Sequence, residues 1–281
     1  MEISLPVALV VLAGALLHAA WNAMLKAADD KHLDTTATNL ARGIVAAAVL
    51  PFLPAPARES WPWILASAAV HVAYFQLLAE AYRHGDMSFA YPVMRGGGPV
   101  VAALASLLLF GERLDAAQAV ALVLICAGIL GFASAPGRER VALRRPLAFA
   151  LANAAVIGAY TLIDAQGVRA SGAALSYVLW FFVANGFVQG GYGVVKRGRT
   201  ALAYARAHWM RALAGALCSM GAYGSSLWAM TLAPVALVAG LRETSVVFGA
   251  LLGAIFLGER FTRRRVLATA TVLAGLVVLR L

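Results

Sequence analysis

Apolar residues along this chain come in long continuous runs. They do not alternate with polar residues in the period of two that marks a barrel strand. A helix needs about 20 apolar residues to cross about 30 Å of hydrocarbon. Ten runs meet that need, at roughly 4–25, 35–53, 61–82, 87–110, 116–134, 147–166, 173–195, 209–231, 234–257 and 265–280. At about 20 residues each they take some 200 positions, which leaves only short connections in a chain of 281 residues. The pattern predicts an all-α polytopic membrane protein with ten transmembrane helices and no soluble catalytic or ATP-binding domain. The stretch from Gly190 to Lys196 is glycine-rich, but it has neither the spacing nor the hydroxyl of a phosphate-binding loop. The first run follows Met1-Glu2; without a basic start, and with so long an apolar stretch, it reads as a span and not as a cleaved signal. Pro234 opens the ninth helix, where its missing N–H costs little.

Composition agrees. Hydrophobic residues make up 62% and charged residues 13%, against about 45–50% and about 25% in soluble domains. Two cysteines, Cys126 and Cys218, exclude a disulfide scaffold. The net charge of +10 lies in short pieces between apolar runs, so nucleic acid is not an expected partner. Connections after odd-numbered spans carry 16 of the Lys and Arg residues, and those after even-numbered spans plus the C-terminus carry four. The positive-inside rule then puts the odd connections in the cytoplasm and both termini outside.

A shift of 147 residues lays one half of the chain on the other. Arg95 falls on Arg242, Gly111-Glu112-Arg113 on Gly258-Glu259-Arg260, and Ala127-Gly128 on Ala274-Gly275. Each copy holds five spans. Five is odd, so the second copy enters the membrane from the opposite face. This predicts two inverted five-helix repeats, residues 1–135 and 147–281, joined by a basic linker at 136–146, with a binding site near the midplane between them. Gly111 and Gly258 suit left-handed helix ends, and each following glutamate suits the next helix N-terminus.

Gly-Glu-Arg-Leu at 111–114 and Gly-Glu-Arg-Phe at 258–261, each followed by a span ending in Ala-Gly, resemble the EamA family of the drug/metabolite transporter superfamily. Trp21-Asn22 with Lys26 also resembles the family's first span. The resemblance covers essentially the whole chain. It implies movement of small metabolites, amino acids or drugs without ATP, in the inner or plasma membrane. It also implies cytoplasmic termini, opposite to the reading of the loop charges.

Ionisable residues deep in lipid usually face the bundle interior or a wet cavity. Arg95 and Arg242 lie at equivalent depths on opposite sides of the midplane, where they either hold an anionic group in turn or serve as structural ion pairs or snorkelling side chains. Gly14, His18, Asn22 and Lys26, four apart, form one helical stripe beside Trp21. His71 and Tyr74 share a face of the third span; Glu80 and Arg83 share another, as a salt bridge at the membrane edge. Tyr91 opens the segment Tyr91–Pro99, whose two prolines and three glycines point to either a broken helix or close packing of small residues. Tyr160 and Asp164 share a face of the sixth span, and Tyr223 lies in the eighth. The expected cavity residues are His18, Trp21, Asn22, His71, Tyr74, Tyr91, Arg95, Tyr160, Tyr223 and Arg242, with Glu80, Asp164 and Glu243 as coupling or gating candidates. Gly249-x-x-x-Gly253 reads as a helix-packing face.

The function expected is a secondary transporter of a small polar organic solute, such as an amino acid or another carboxylate- or phosphonate-bearing metabolite. Its coupling ion can be a proton carried by His71 or a carboxylate. No cofactor or metal is expected, and the protein is a monomer or homodimer. An exporter of aromatic drugs is the alternative on the same fold. An intramembrane enzyme is the alternative from another class, against which stands the lack of any tight ligand cluster.

Overall fold

The computed structural model describes residues 4–110, 116–133, 137–232, 241–242, 244–259 and 262–278, at some helical positions by backbone alone. Every regular element among them is helical: α1 (Leu5–Ala27), α2 (Lys31–Val49), α3 (Trp61–His84), α4 (Met87–Phe110), α5 (Ala116–Ala133), α6 (Gly137–Ser171), α7 (Ala174–Asn185), a π-turn (Gly186–Gly190), α8 (Gly191–Arg197), α9 (Arg199–Ala207), α10 (Trp209–Leu232), α11 (Ser245–Phe256) and α12 (Arg263–Val278). Four segments are long and apolar enough to cross a membrane: Leu5–Ala27, Arg58–His84, Ala142–Val168 and Ala174–Arg197. Shorter apolar helices include Ser245–Phe256 and Val266–Gly275. The protein is therefore a multi-pass helical membrane protein.

Local sequence explains the helix ends. Asp30 caps α2, its carboxylate accepting from the backbone N–H groups of His32 and Leu33 at 3.0 Å each, which satisfies two of the helix's orphan donors. Pro6 and Pro62 stand in the first turns of α1 and α3, where no N–H is needed. The basic stretch expected as a linker is helical from Gly137 onward and runs into the sixth span through Pro146.

Packing pairs helices from the two halves. α1 lies along α10 and α3 along α6; α4 also packs on α6, and α11 on α1. α5 and α12 meet through their glycines. A methyl on Gly128 would come within 2.6 Å of Val272 and 2.8 Å of the Ala268 carbonyl. A methyl on Gly275 would meet Ile125 at 2.7 Å and the Ala121 carbonyl at 2.8 Å. Neither glycine can be replaced without parting the two backbones.

The segment Tyr91–Pro99 lies inside a continuous helix, so of the two expectations the close packing is the one observed. Its glycines are contact points: methyls on Gly96, Gly97 and Gly98 would lie 2.6, 2.6 and 2.8 Å from Val272, Ala154 and Ile157. Gly249 packs on Tyr91 and Gly253 approaches the backbone of Ser88, so the Gly249–Gly253 face is a seam against α4.

The second Gly-Glu-Arg element corrects one expectation. Gly258 is left-handed, with φ of +64°, and the Glu259 N–H reaches back to the Gly253 carbonyl at 3.1 Å, closing α11 past a left-handed glycine. The Glu259 carboxylate, however, turns to a different helix. It accepts from Met87 N–H at 2.6 Å and Ser88 N–H at 2.7 Å, capping α4 in the other half, where the orphan donors lie close enough to be met. The first element, at 111–113, lies outside the described residues.

Candidate functional site

Arg42 on α2, Arg95 on α4 and Asp164 on α6 are buried charges of the interior. Arg42, on α2, is 3% exposed. Its guanidinium lies over the rings of Trp21 and Phe75, 5.2 and 5.1 Å from their centroids. Nε donates to Ser219 Oγ on α10 at 2.6 Å, and a terminal nitrogen donates to Asn39 Oδ1 at 3.1 Å. No carboxylate pairs with it among the described residues. A buried guanidinium held only by aromatic faces and neutral oxygens keeps donors in reserve for an anion.

Around this centre stand the residues singled out in the sequence. His18 packs its ring against Trp21 at 5.6 Å and Tyr91 at 6.0 Å. Arg95 is 5% exposed and Tyr91 2% exposed. Arg242 Nε is buried, with no hydrogen-bond partner among the described residues. Glu243 lies outside the described residues. His71 stacks on Tyr160 at 4.2 Å and meets Phe181 at 4.7 Å and Tyr74 at 5.5 Å.

Asp164, on α6, is buried and surrounded by hydroxyls. Tyr177 OH donates to Oδ1 at 3.1 Å and Tyr223 OH to Oδ2 at 3.3 Å. Ser67, on α3, lies near the carboxylate, and its hydroxyl sits 3.3 Å from His71 Nδ1. Ser67 lies one turn from His71, whose Nδ1 sits 2.8 Å from the Ser67 carbonyl. A carbonyl only accepts, so Nδ1 carries the proton and Nε2 is the accepting nitrogen.

The first-span stripe divides along its length. Gly14 packs on Ser225 of α10, and His18 joins the central cluster. Asn22 accepts from Tyr82 OH at 2.7 Å and donates to the His18 carbonyl at 2.8 Å. Lys26 donates to the Tyr82 and Gly85 carbonyls at 2.9 and 2.8 Å, tying α1 to the end of α3. Glu80 lies apart from the centre, beside His32 at 2.6 Å, His84 at 3.1 Å and Arg83 at 3.6 Å.

Two openings lead inward from the face that carries the basic connections. One is a narrow cavity lined by Trp21, Asn39, Arg42, Phe75 and Thr38 and ending at Asp34 and Arg211; its volume of about 10 Å³ holds a single water. Across its mouth Asp34 pairs with Arg211 Nε at 3.3 Å, Tyr204 OH reaches Asp34 at 3.4 Å, and Arg211 also donates to the Met24 carbonyl. Burial and the neighbouring Asp34 carboxylate push the Tyr204 phenol up to about 12, so it stays a donor. The other opening is a crevice of about 490 Å³ between α2, α3 and α8, lined by His32, Thr36, Gln76, Glu80, Gly193 and Lys196 among others.

Arg42 was countable in the sequence as one of three cations inside spans, yet nothing there marked it as central. Its stacking on Trp21 and Phe75 joins residues from three separate helices. Ser67 and Ser219 carried no signal at all, because a lone serine in an apolar run is ordinary helix packing.

Comparison with known proteins follows the same lines. The model of a family described as "EamA-like transporter family" matches residues 5–134 and again residues 144–281. The multidrug transporter EmrE of Escherichia coli (strain K12) is 36% identical over 70 residues, which is 25% of this chain and 63% of EmrE. The chain thus matches less than two thirds of that relative's length. A solved structure described as "Crystal structure of protein" superposes with a TM-score of 0.57 at 18% identity, covering 97% of this chain and 96% of the other; that likeness concerns the fold.

Proposed function

The chain belongs to the EamA-like transporter family, and on that footing we propose that it moves a small carboxylate-bearing organic solute, best an amino acid, through a central site by alternating access. The observation that carries this reading is Arg42, buried over the rings of Trp21 and Phe75 and bonded to the neutral oxygens of Ser219 and Asn39, with no carboxylate partner among the described residues. An anion entering such a centre gains charge-assisted donors that need no reorganisation. Asp164, one residue layer away across His71 and Ser67, is the matching receiver for an amine or a proton.

Two inverted repeats of five spans, at 1–135 and 147–281, fit the packing. The contacts of Gly128 with Ala268 and Val272, and of Gly275 with Ala121 and Ile125, map onto each other under the shift of 147 residues. The pairing of α1 with α10 and of α3 with α6 is likewise exchanged by that shift. The closed mouth at Asp34 and Arg211 supports a gate on the face of the basic connections. By their charge that face is cytoplasmic in the inner or plasma membrane.

A drug exporter is the second reading, favoured by the likeness to EmrE and by the aromatic wall of His71, Tyr160, Tyr74 and Phe181. Purified protein in liposomes separates the two. Saturable, stereoselective counterflow of an amino acid, weakened when the carboxylate is amidated, supports the anion reading. Counterflow of hydrophobic cations alone supports the exporter, and turnover of a solute to a product overturns both.

A further inference from the structure

Asn185 precedes the π-turn and Gln189 lies within it, and each is 0% exposed. Neither amide nitrogen nor amide oxygen of either residue has a hydrogen-bond partner among the described residues. Leaving a buried polar atom unsatisfied costs about 1–3 kcal/mol. Four such atoms on consecutive turns of one helix, inside a membrane, mark a place where something polar resides. The π-turn itself is a backbone irregularity of the kind found at functional sites.

The surroundings say what fits. The π-turn packs on α2 and α3, where a methyl on Gly186 would lie 2.7 Å from Gly43 Cα and one on Gly190 would lie 2.6 Å from Leu40. So close an approach leaves no room for an organic solute. Towards the basic face, α8 continues directly from the π-turn, and with α2 and α3 it lines the crevice of about 490 Å³ through Thr36, Gln76 and Gly193. Towards the membrane interior, one helical turn before Asn185, Phe181 meets His71, whose partner Ser67 lies near Asp164.

We propose that the seam between α2, α3 and the π-turn holds a file of waters that brings protons from the crevice to Asp164. The amides suit this, since each both donates and accepts and neither carries a charge that would trap a proton. Water hands the proton on past His71 Nε2 and Ser67, and it is taken up by an Asp164 carboxylate oxygen. The groups facing Asp164 are Ser67 and, through it, His71 on α3, Tyr177 on α7, Tyr223 on α10 with Arg242 beyond it, and Tyr160 on its own helix. At the entrance stand His32, Glu80, Arg83, Lys196 and Arg197. The conduit rests on the transport reading above, whereas the hydration of the seam does not.

The test is the double variant Asn185→Leu with Gln189→Leu, with Gln189→Met alone as the milder change should the double variant fail to fold. Hydroxyl-radical footprinting of the native protein in ¹⁸O water is expected to label Phe181 in spite of its burial, and the variant is expected to lose that label. In liposomes the variant is expected to lose solute accumulation driven by a proton gradient while keeping solute exchange. An unlabelled Phe181 in the native protein overturns the water file. A labelled seam with proton-driven accumulation intact in the variant overturns the conduit. If native protein exchanges solute with no response to a proton gradient, the conduit falls while the wet seam stands. If it moves no solute at all, the transport reading fails, and the labelling still decides the seam.

Discussion

Arg42 and Asp164 are two buried charges of opposite sign, and they are held in opposite ways. The arginine rests between two aromatic faces and two neutral oxygens. The aspartate sits in a ring of hydroxyl donors. A fold seeking stability alone would pair them, because a buried charge without its counter-charge is costly. Here Phe75 and His71 stand between the two. Each charge thus keeps capacity for a partner that is not part of the protein. Guanidinium donors remain for an anion, and the carboxylate remains for a proton or an amine. The separation is what a zwitterion can bridge.

The largest effect is expected at Arg42. Arg42→Gln removes a charge-assisted contact worth about 1.5–3 kcal/mol, so apparent solute affinity falls by roughly ten- to a hundredfold. Lys at this position rescues only in part, because an ammonium lacks the flat two-donor edge and stacks less well on Trp21 and Phe75. Arg42→Met separates function from structure. Transport is expected to vanish while the thermal midpoint holds or rises, since an unpaired buried charge is replaced by an apolar side chain. A variant that transports normally would show that the guanidinium braces α2 against α10 through Ser219 and does nothing else.

Asp164→Asn comes next. The asparagine oxygen still accepts from one tyrosine, so the fold and solute exchange are expected to persist. What disappears is the response to a proton gradient, read as accumulation in liposomes at two values of external pH. If the variant accumulates solute as the native protein does, Asp164 is a structural acceptor and the symmetry drawn with Arg42 fails.

The two charges also differ in how far the sequence foretold them. Asp164 shares a helical face with Tyr160, and that spacing was visible as a pattern of four. Arg42 stood alone among Thr38, Asn39 and alanines, and its partners came from α1, α3 and α10, which no spacing within one helix can reveal. The four long apolar segments were legible because burial in lipid forces about 20 apolar residues in a row. Helix ends were legible where glycine or proline dictated them, as at Gly258. The direction of Glu259 was not, since a carboxylate at a turn has two helix starts within reach and only tertiary packing selects α4. The buried amides of the π-turn were invisible too: Asn185 and Gln189 read as ordinary polar residues in a glycine-rich span, and only their lack of partners distinguishes them.

A third expectation concerns the cap that joins the halves. Glu259→Gln keeps one acceptor but loses the charge that serves Met87 and Ser88 together. The cost is about 1–2 kcal/mol, read as a thermal midpoint lower by about 2–4 °C for a chain of this size. Transport rates are expected to change more than solute affinity, because the cap lies at the junction of α11 and α4 and not among the arginines. An unchanged midpoint would show that water serves the α4 N-terminus equally well.

The smallest effect is expected at Glu80, which tests the contrast from outside. It is a carboxylate like Asp164, and the sequence offered it as a coupling residue on equal terms. Its surroundings differ: the side chain is 24% exposed and the Arg83 side chain beside it 64% exposed, and its neighbours His32 and His84 sit at the rim of the crevice. An ion pair so open to water contributes about 0–1 kcal/mol, and salt screens it further. Glu80→Gln is therefore expected to leave the proton-gradient response in place and to lower the thermal midpoint by less than Glu259→Gln does. The difference from the native protein should shrink further in high salt. A Glu80→Gln protein that folds normally but no longer responds to a proton gradient would move the coupling carboxylate from the buried hydroxyl ring to the crevice rim. Burial among neutral donors would then not be what distinguishes Asp164.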